Sequence, residues 1–253
     1  MDIIEHRAGV AGIETFWRQA GDAPILYVHG NPNNSDLWLP FLERTGGVAM
    51  DLPGFGRSAK PAQFDYSIDG YGGWLDAFRR KLGWDRCRML AHDWGAVGLT
   101  LGDRLERVVL INAVPFLPGY RWHRFARIWR TPVLGELFQG STTKWGLKRF
   151  LPGMPEDFVD SIWNHYDHGT QRAILKLYRS APPDVLARAG ERLGEMKALA
   201  LVVWGGDDPY LPPRFAHAYG EVLRGDVEVV DGAGHWPWID RPELVERVCS
   251  FLK

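Results

Sequence analysis

Apolar and polar positions along this chain follow two rhythms that take turns. "IETFWRQ" (13–19) alternates apolar with polar residues, which predicts a strand near a sheet edge. "APILYVHG", "GGVAMDLPGFGRS", "CRMLAHDWGAVGL", "RVVLINAVPF", "ALALVVWGGDDPY" and "VEVVDGAGHWP" are short continuous apolar runs closed by Gly, Pro or Asp. Such runs predict strands buried on both faces. Helical spacing predicts helices between them: "IDGYGGWLDAFRRKLGW", a stretch opening at Gly95, Pro213–Leu223, and a last helix from Pro242. Strands alternating with helices predict an α/β fold, a mostly parallel central sheet flanked by helices.

From about Pro115 to Gly194 the alternation stops. "YRWHRFARIWRT", "EDFVDSIWNHYDHG" and "TQRAILKLYRS" are helix-like pieces with Pro and Gly between them. The expected organisation is a core of residues 1–114 and 195–253 with an inserted helical cap, 115–194. No internal repeat or low-complexity segment interrupts it.

Ligands of a parallel sheet bind at the carboxyl ends of its strands. Four unusual loops sit at such ends: His29-Gly30-Asn31-Pro32, His92-Asp93-Trp94, Asp207-Asp208-Pro209 and Gly234-His235-Trp236. They are expected to meet at one rim. In the second, a strand runs into a glycine-flanked turn whose tip is Asp93. A tight strand–turn–helix of this kind holds a nucleophile clear of its backbone and faces it to the amides of the following helix. Its usual tip residue is serine, which needs a base before it can attack. A carboxylate is already ionised at neutral pH and can attack a saturated carbon directly, leaving an alkyl ester. His235 would then activate the water that cleaves the ester. Asp208 would hold the other ring nitrogen. Asp207 is the rival acid. Asp93 as a plain helix cap, His235 as a turn histidine, Asn31 as a turn residue and Trp94 as core are the bland alternatives.

"VHGNPNNSDLW", "DLPGFGRS", "AHDWGA", "VVWGGDDPY" and "GAGHWPW" resemble the signature loops of the α/β-hydrolase fold. More narrowly, they resemble its aspartate-nucleophile branch of haloalkane dehalogenases and epoxide hydrolases. The family resemblance in the spacing after Gly205 favours Asp208 over Asp207. The resemblance implies that Asn31 and Trp94 hold a departing halide through side-chain N–H groups, and that their backbone N–H groups form an oxyanion hole. Epoxide hydrolases supply two cap tyrosines instead. Tyr178 suits the second; Tyr120 and Tyr166 are candidates for the first. Asn31 tips the reading toward dehalogenation. Many dehalogenases with this Asn–Trp pair carry a glutamate acid after the strand following the elbow. Here that strand ends in "VVLINAVPF", with Asn112 and no carboxylate. The resemblance also extends to cofactor-independent oxygenases, and a binding module without turnover shares the fold. The expected partners are water and a small apolar haloalkane or epoxide, with no cofactor and no metal.

The cap histidines His123, His165 and His168 are expected to be solvated. Trp122, Trp129, Phe138, Trp145 and Trp163 are pocket or packing residues. His29 and His92 read as supports of their loops.

Composition adds little. The 253 residues are 45% hydrophobic and 24% charged, as in ordinary globular proteins. A net charge of −1 gives no electrostatic case for nucleic acid or an anionic membrane. No apolar run approaches the roughly 20 residues needed to span a bilayer, and "MDIIEHRAGVAG" carries no signal-peptide pattern. Cys87 and Cys249 make neither a disulfide framework nor a metal set. A cytoplasmic protein, monomeric or a small homo-oligomer, is expected.

Overall fold

A computed structural model describes residues 1–253. Eight strands form one sheet: β1 (Ile3–Val10), β2 (Ile13–Ala20), β3 (Ile25–Val28), β4 (Gly47–Met50), β5 (Cys87–Asp93), β6 (Leu105–Ala113), β7 (Leu199–Gly205) and β8 (Asp226–Val230). Their order is β1-β2-β4-β3-β5-β6-β7-β8. β2 pairs antiparallel with β1 and β4, and every other pair is parallel. Outside the inserted segment the helices are α1 (Leu39–Thr45) and α2 (Ile68–Lys81) before it. The segment between β6 and β7 holds no strand. It carries α3 (Arg124–Arg130), α4 (Leu134–Gly140), α5 (Lys144–Arg149), α6 (Glu156–Trp163), α7 (His168–Ser180) and α8 (Pro183–Ala189). After β7 come α9 (Arg214–Leu223), α10 (Pro237–Asp240) and α11 (Glu243–Leu252). No helix is long and apolar enough to cross a membrane.

The continuous apolar runs are explained by two cores, one on each face of the sheet. Along β3, Leu26 and Val28 join one core while Ile25 and Tyr27 join the other. Side chains alternate across a strand, so a strand covered on both faces must be apolar at every position. The segment starting at Gly95 differs from the expected α-helix. Residues Trp94–Arg104 form tight 3₁₀ turns, with a break at Gly102 where φ is 53°.

β5 delivers Asp93 to the rim, and its neighbours must be small for it to do so. A Cβ on Gly95 would lie 2.1 Å from the Val28 carbonyl oxygen, which is backbone and cannot yield. Gly95→Ala is therefore expected to destabilise the protein by about 1–3 kcal/mol through overpacking. A lower urea midpoint at unchanged slope is the readout; a midpoint equal to wild type would remove the steric argument.

Candidate active site

The four loops do meet at one rim. Asp93 is 6% exposed and takes φ 53°, ψ −121°. For a non-glycine residue that backbone costs on the order of 1–3 kcal/mol, so surrounding structure must hold it. Its two carboxylate oxygens have different neighbours. Oδ1 accepts the backbone N–H of Asn31 at 2.8 Å, and the Trp94 N–H also leans on the carboxylate. Oδ2 lies 3.8 Å from Nε2 of His235. Burial raises the Asp93 pKa to about 6; the charge of His235 and the two amides pull against it, while Asp208 adds to it.

His235 Nδ1 donates to Asp208 Oδ2 at 2.7 Å. That bond leaves Nε2 as the atom facing Asp93. Burial opposes the charged imidazole, but the charge and hydrogen bond of Asp208, with the charge of Asp93, raise the His235 pKa overall. Asp208 is itself tied down. Oδ1 accepts the N–H groups of Tyr210 and Leu211 at 2.7 and 3.0 Å, and Oδ2 accepts Asn112 Nδ2 at 2.5 Å. Burial works against the charged carboxylate. His235 and the hydrogen bonds overcome it and lower the pKa. Asp207 is exposed and makes no such contacts. Asn112, seen in the sequence only as a missing carboxylate, orients Asp208: its Oδ1 also accepts the Gly205 N–H at 2.9 Å.

His29 and His92 brace this arrangement. His29 donates from Nδ1 to the Gly30 carbonyl and accepts the Leu52 N–H at Nε2. His92 donates from Nε2 to the His235 carbonyl at 2.9 Å, and its ring centroid lies 4.6 Å from that of His235.

The two residues whose backbone N–H groups meet the Asp93 carboxylate also carry side-chain donors. Trp94 stacks on Trp122 at 5.3 Å, and its buried indole N–H has no hydrogen-bond partner. Asn31 Nδ2 donates to the Tyr178 hydroxyl at 3.3 Å. Tyr178 sits edge-on to Trp94, with centroids 5.2 Å apart. Burial and the nearby Asp93 charge hold its phenol far above its usual pKa, against Asn31 and Trp94. Tyr178 accepts a hydrogen bond through its oxygen, and no protein acceptor takes its proton. Tyr120 is buried with an unpartnered hydroxyl but does not line the cavity; Tyr166 lines it, with its hydroxyl bonded to Gln139.

Asn31, Asp93, Tyr178 and His235 open into a narrow cavity of about 50 Å³ beneath the inserted helices, whereas Trp94 and Asp208 are not among its lining residues. Trp129 and Phe138 line it, as do Phe125, Phe150 and Tyr210, which the sequence did not single out. Trp122, Trp145 and Trp163 do not: Trp122 packs under Trp94, Trp145 is 72% exposed, and Trp163 stacks on Tyr166. One expectation fails. His123 is not a solvated histidine but a wall of the cavity. It caps α3 through Nδ1, which accepts the Ala126 N–H, and that position turns its ring inward. His165 bonds the Ser161 carbonyl, and His168 lies on the surface.

An eight-stranded, mostly parallel sheet carrying an Asp–His–Asp set on its carboxyl rim, under inserted helices, defines an α/β-hydrolase. The chain belongs to the alpha/beta hydrolase family, whose family model matches residues 25–248. Within that family it is similar to the haloalkane dehalogenase of Mycolicibacterium paratuberculosis, at 31% identity over 90% of this chain and 83% of that one. Among solved structures, the haloalkane dehalogenase DbeA of Bradyrhizobium elkani superposes with a TM-score of 0.84 at 24% identity, covering 99% and 98% of the two chains. The epoxide hydrolase CorEH superposes with the same TM-score, 0.84, at 18% identity, again covering 99% and 98%. The protein is thus a dehalogenase-like α/β-hydrolase enzyme.

Proposed function

We propose that the protein hydrolyses small haloalkanes to alcohol and halide through an ester on Asp93. The observation that carries this reading is the division of labour between the Asp93 oxygens: the Asn31 amide holds Oδ1, and Oδ2 lies toward His235 at the cavity. Oδ2 attacks the carbon in line with the leaving group. The C–O bond forms as the carbon–halogen bond breaks, and the halide leaves with its electron pair between the N–H groups of Trp94 and Asn31. His235 Nε2 then takes a proton from water as its oxygen attacks the ester carbonyl. The Asn31 amide, already on Oδ1, and the Trp94 amide, which also meets the carboxylate, receive the charge of the tetrahedral intermediate. Collapse expels the alkoxide, which takes the proton from His235; the carboxyl left on Asp93 still carries the second water proton, and its loss to solvent restores the carboxylate, so each turnover releases one proton with the halide. Ester formation removes the Asp93 charge that helped raise the His235 pKa, so the imidazole becomes a readier base when hydrolysis begins.

Under this proposal residues 115–194 act as a cap over the core formed by 1–114 and 195–253. The cavity carries no lysine or arginine, which suits neutral substrates. A cytoplasmic location is part of the same proposal, in keeping with two buried free thiols, Cys87 and Cys249.

Epoxide hydrolysis is the second reading, favoured by one observation: the Tyr178 proton has no protein acceptor and could protonate an opening epoxide. Short bromoalkanes and terminal epoxides separate the two, scored for bromide and for diol. Bromide release with little diol is the expected result; diol formation alone would transfer the assignment to epoxide hydrolysis.

The pH profile adds a check. Attack requires ionised Asp93, and burial raises its pKa to about 6. The rate of the bromide burst is therefore expected to be level above that pH and to fall about tenfold per unit below it, because the protonated acid cannot attack. A burst that stays level down to the ordinary aspartate range near about 4 would contradict a buried nucleophile.

A further inference from the structure

We propose that His123 is a neutral hydrogen-bond donor on the cavity wall, forming with the Tyr178 hydroxyl a subsite for an oxygen acceptor on the substrate. The preferred substrates are then neutral alkyl halides bearing an ether, hydroxyl or carbonyl oxygen a few bonds from the reacting carbon. The proposal rests on the dehalogenase reading for the reacting end, and on His123 for the other.

Three observations carry it. The first is place. His123 lines the same cavity as Asp93 and His235, and its ring lies 5.2 Å from Tyr210, itself 5.2 Å from His235. The second is tautomer. Nδ1 accepts the Ala126 N–H at 3.3 Å, so in the neutral ring the proton belongs on Nε2. That is the only hydrogen bond the ring makes to the protein, so the Nε2–H is unspent. The third is scarcity. Tyr210 donates its hydroxyl to the Phe150 carbonyl, Thr142 donates to the Phe138 carbonyl, and Tyr166 is bonded to Gln139. The indole N–H groups of Trp129 and Trp236 are also unpartnered, but both nitrogens are fully buried, which leaves His123 and Tyr178 as the wall residues with a donor to offer, beside Phe125, Phe138 and Phe150.

Charge narrows the ligand further. Burial, joined by the nearby His235 charge, pushes the His123 pKa down to about 4, so the imidazole stays neutral at working pH. A neutral N–H recognises a neutral oxygen well. No lysine or arginine lines the walls, and the His235 imidazole is already engaged by Asp208 and faces Asp93, so a carboxylate would enter unpaired, which disfavours halo-acids.

The test uses two bromides of equal length, 1-bromobutane and 2-bromoethyl methyl ether, which differ by CH₂ against O. Bromide release is measured for the wild type, His123→Asn and His123→Phe. Asparagine is a good helix cap, so it keeps α3 capped while withdrawing the reaching N–H. The ether-to-alkyl ratio of kcat/KM is expected to fall about tenfold in both variants, the factor one neutral hydrogen bond supports, mainly through KM. An unchanged ratio would overturn the proposal. If the wild type releases no bromide from either compound, the dehalogenase reading fails by itself. The subsite is then judged by calorimetric titration with 2-methoxyethanol and butan-1-ol. The ratio of their dissociation constants should shift by the same factor on His123→Asn, and a constant ratio would again overturn the subsite.

Discussion

His235→Phe is expected to release one equivalent of bromide per active site and then stop. In the proposed mechanism the first step needs no base, because the nucleophile is a carboxylate. The imidazole charge does assist by opposing the rise in the Asp93 pKa, so its removal raises that pKa further, and the burst should be followed at pH 8 to 9. The second step loses its base, and with it about 10⁴-fold in rate, the scale on which such groups act. The ester then accumulates. Mass spectrometry of the peptide carrying Asp93 should show one butyl group in place of a proton after exposure to 1-bromobutane. An unmodified peptide, or a burst lost together with turnover, would mean that His235 acts before the ester forms.

Much of the architecture that makes this prediction possible is legible in the chain because it rests on periodicity. A strand covered on both faces must be apolar throughout, and β3 and β5 to β7 announce themselves in that way. β1 does not. It lies at the edge of the sheet with most of its residues at least partly exposed, so no apolar pattern marks it. Its turn into β2 is Ala11-Gly12, both at positive φ, without the Asn-Gly or Asp-Gly signal of a tight hairpin. The short inserted helices α4, α5 and α8 span two turns or fewer, too little for a 3.6-residue repeat to emerge.

Site residues divide along the same line. Asp93, Asp208 and His235 stand out because each sits at or a few residues beyond the carboxyl end of a strand, in a short run that also carries Gly, Pro or Trp. Asn112 and His123 act through partners that are distant in sequence, Asp208 and the cavity wall, and nothing local distinguishes an Asn at a strand end or a His before a helix. The faint available signal for His123 was its place immediately before "RFARIW". A histidine there spends one ring nitrogen on the cap and leaves the other to face the interior.

Trp94→Phe is expected to slow bromide release about 10²- to 10³-fold, the cost of removing one donor from a charge-stabilising site. Epoxide opening should change far less. Phenylalanine retains an aromatic face against Trp122 and an edge against Tyr178, and deletes the N–H. That N–H is buried and unpartnered. An unmade hydrogen bond of this kind costs about 1–3 kcal/mol, a burden that is offset if the donor meets a halide during turnover. Chloride and bromide inhibition reads the same donor at equilibrium. Both anions should bind more weakly to the variant, while the urea midpoint reports separately on the smaller ring. Equal slowing of bromide release and epoxide opening, with halide inhibition unchanged, would take the indole out of the leaving-group site. The orphaned N–H would then have to be explained by the stacking of Trp94 against Trp122 alone.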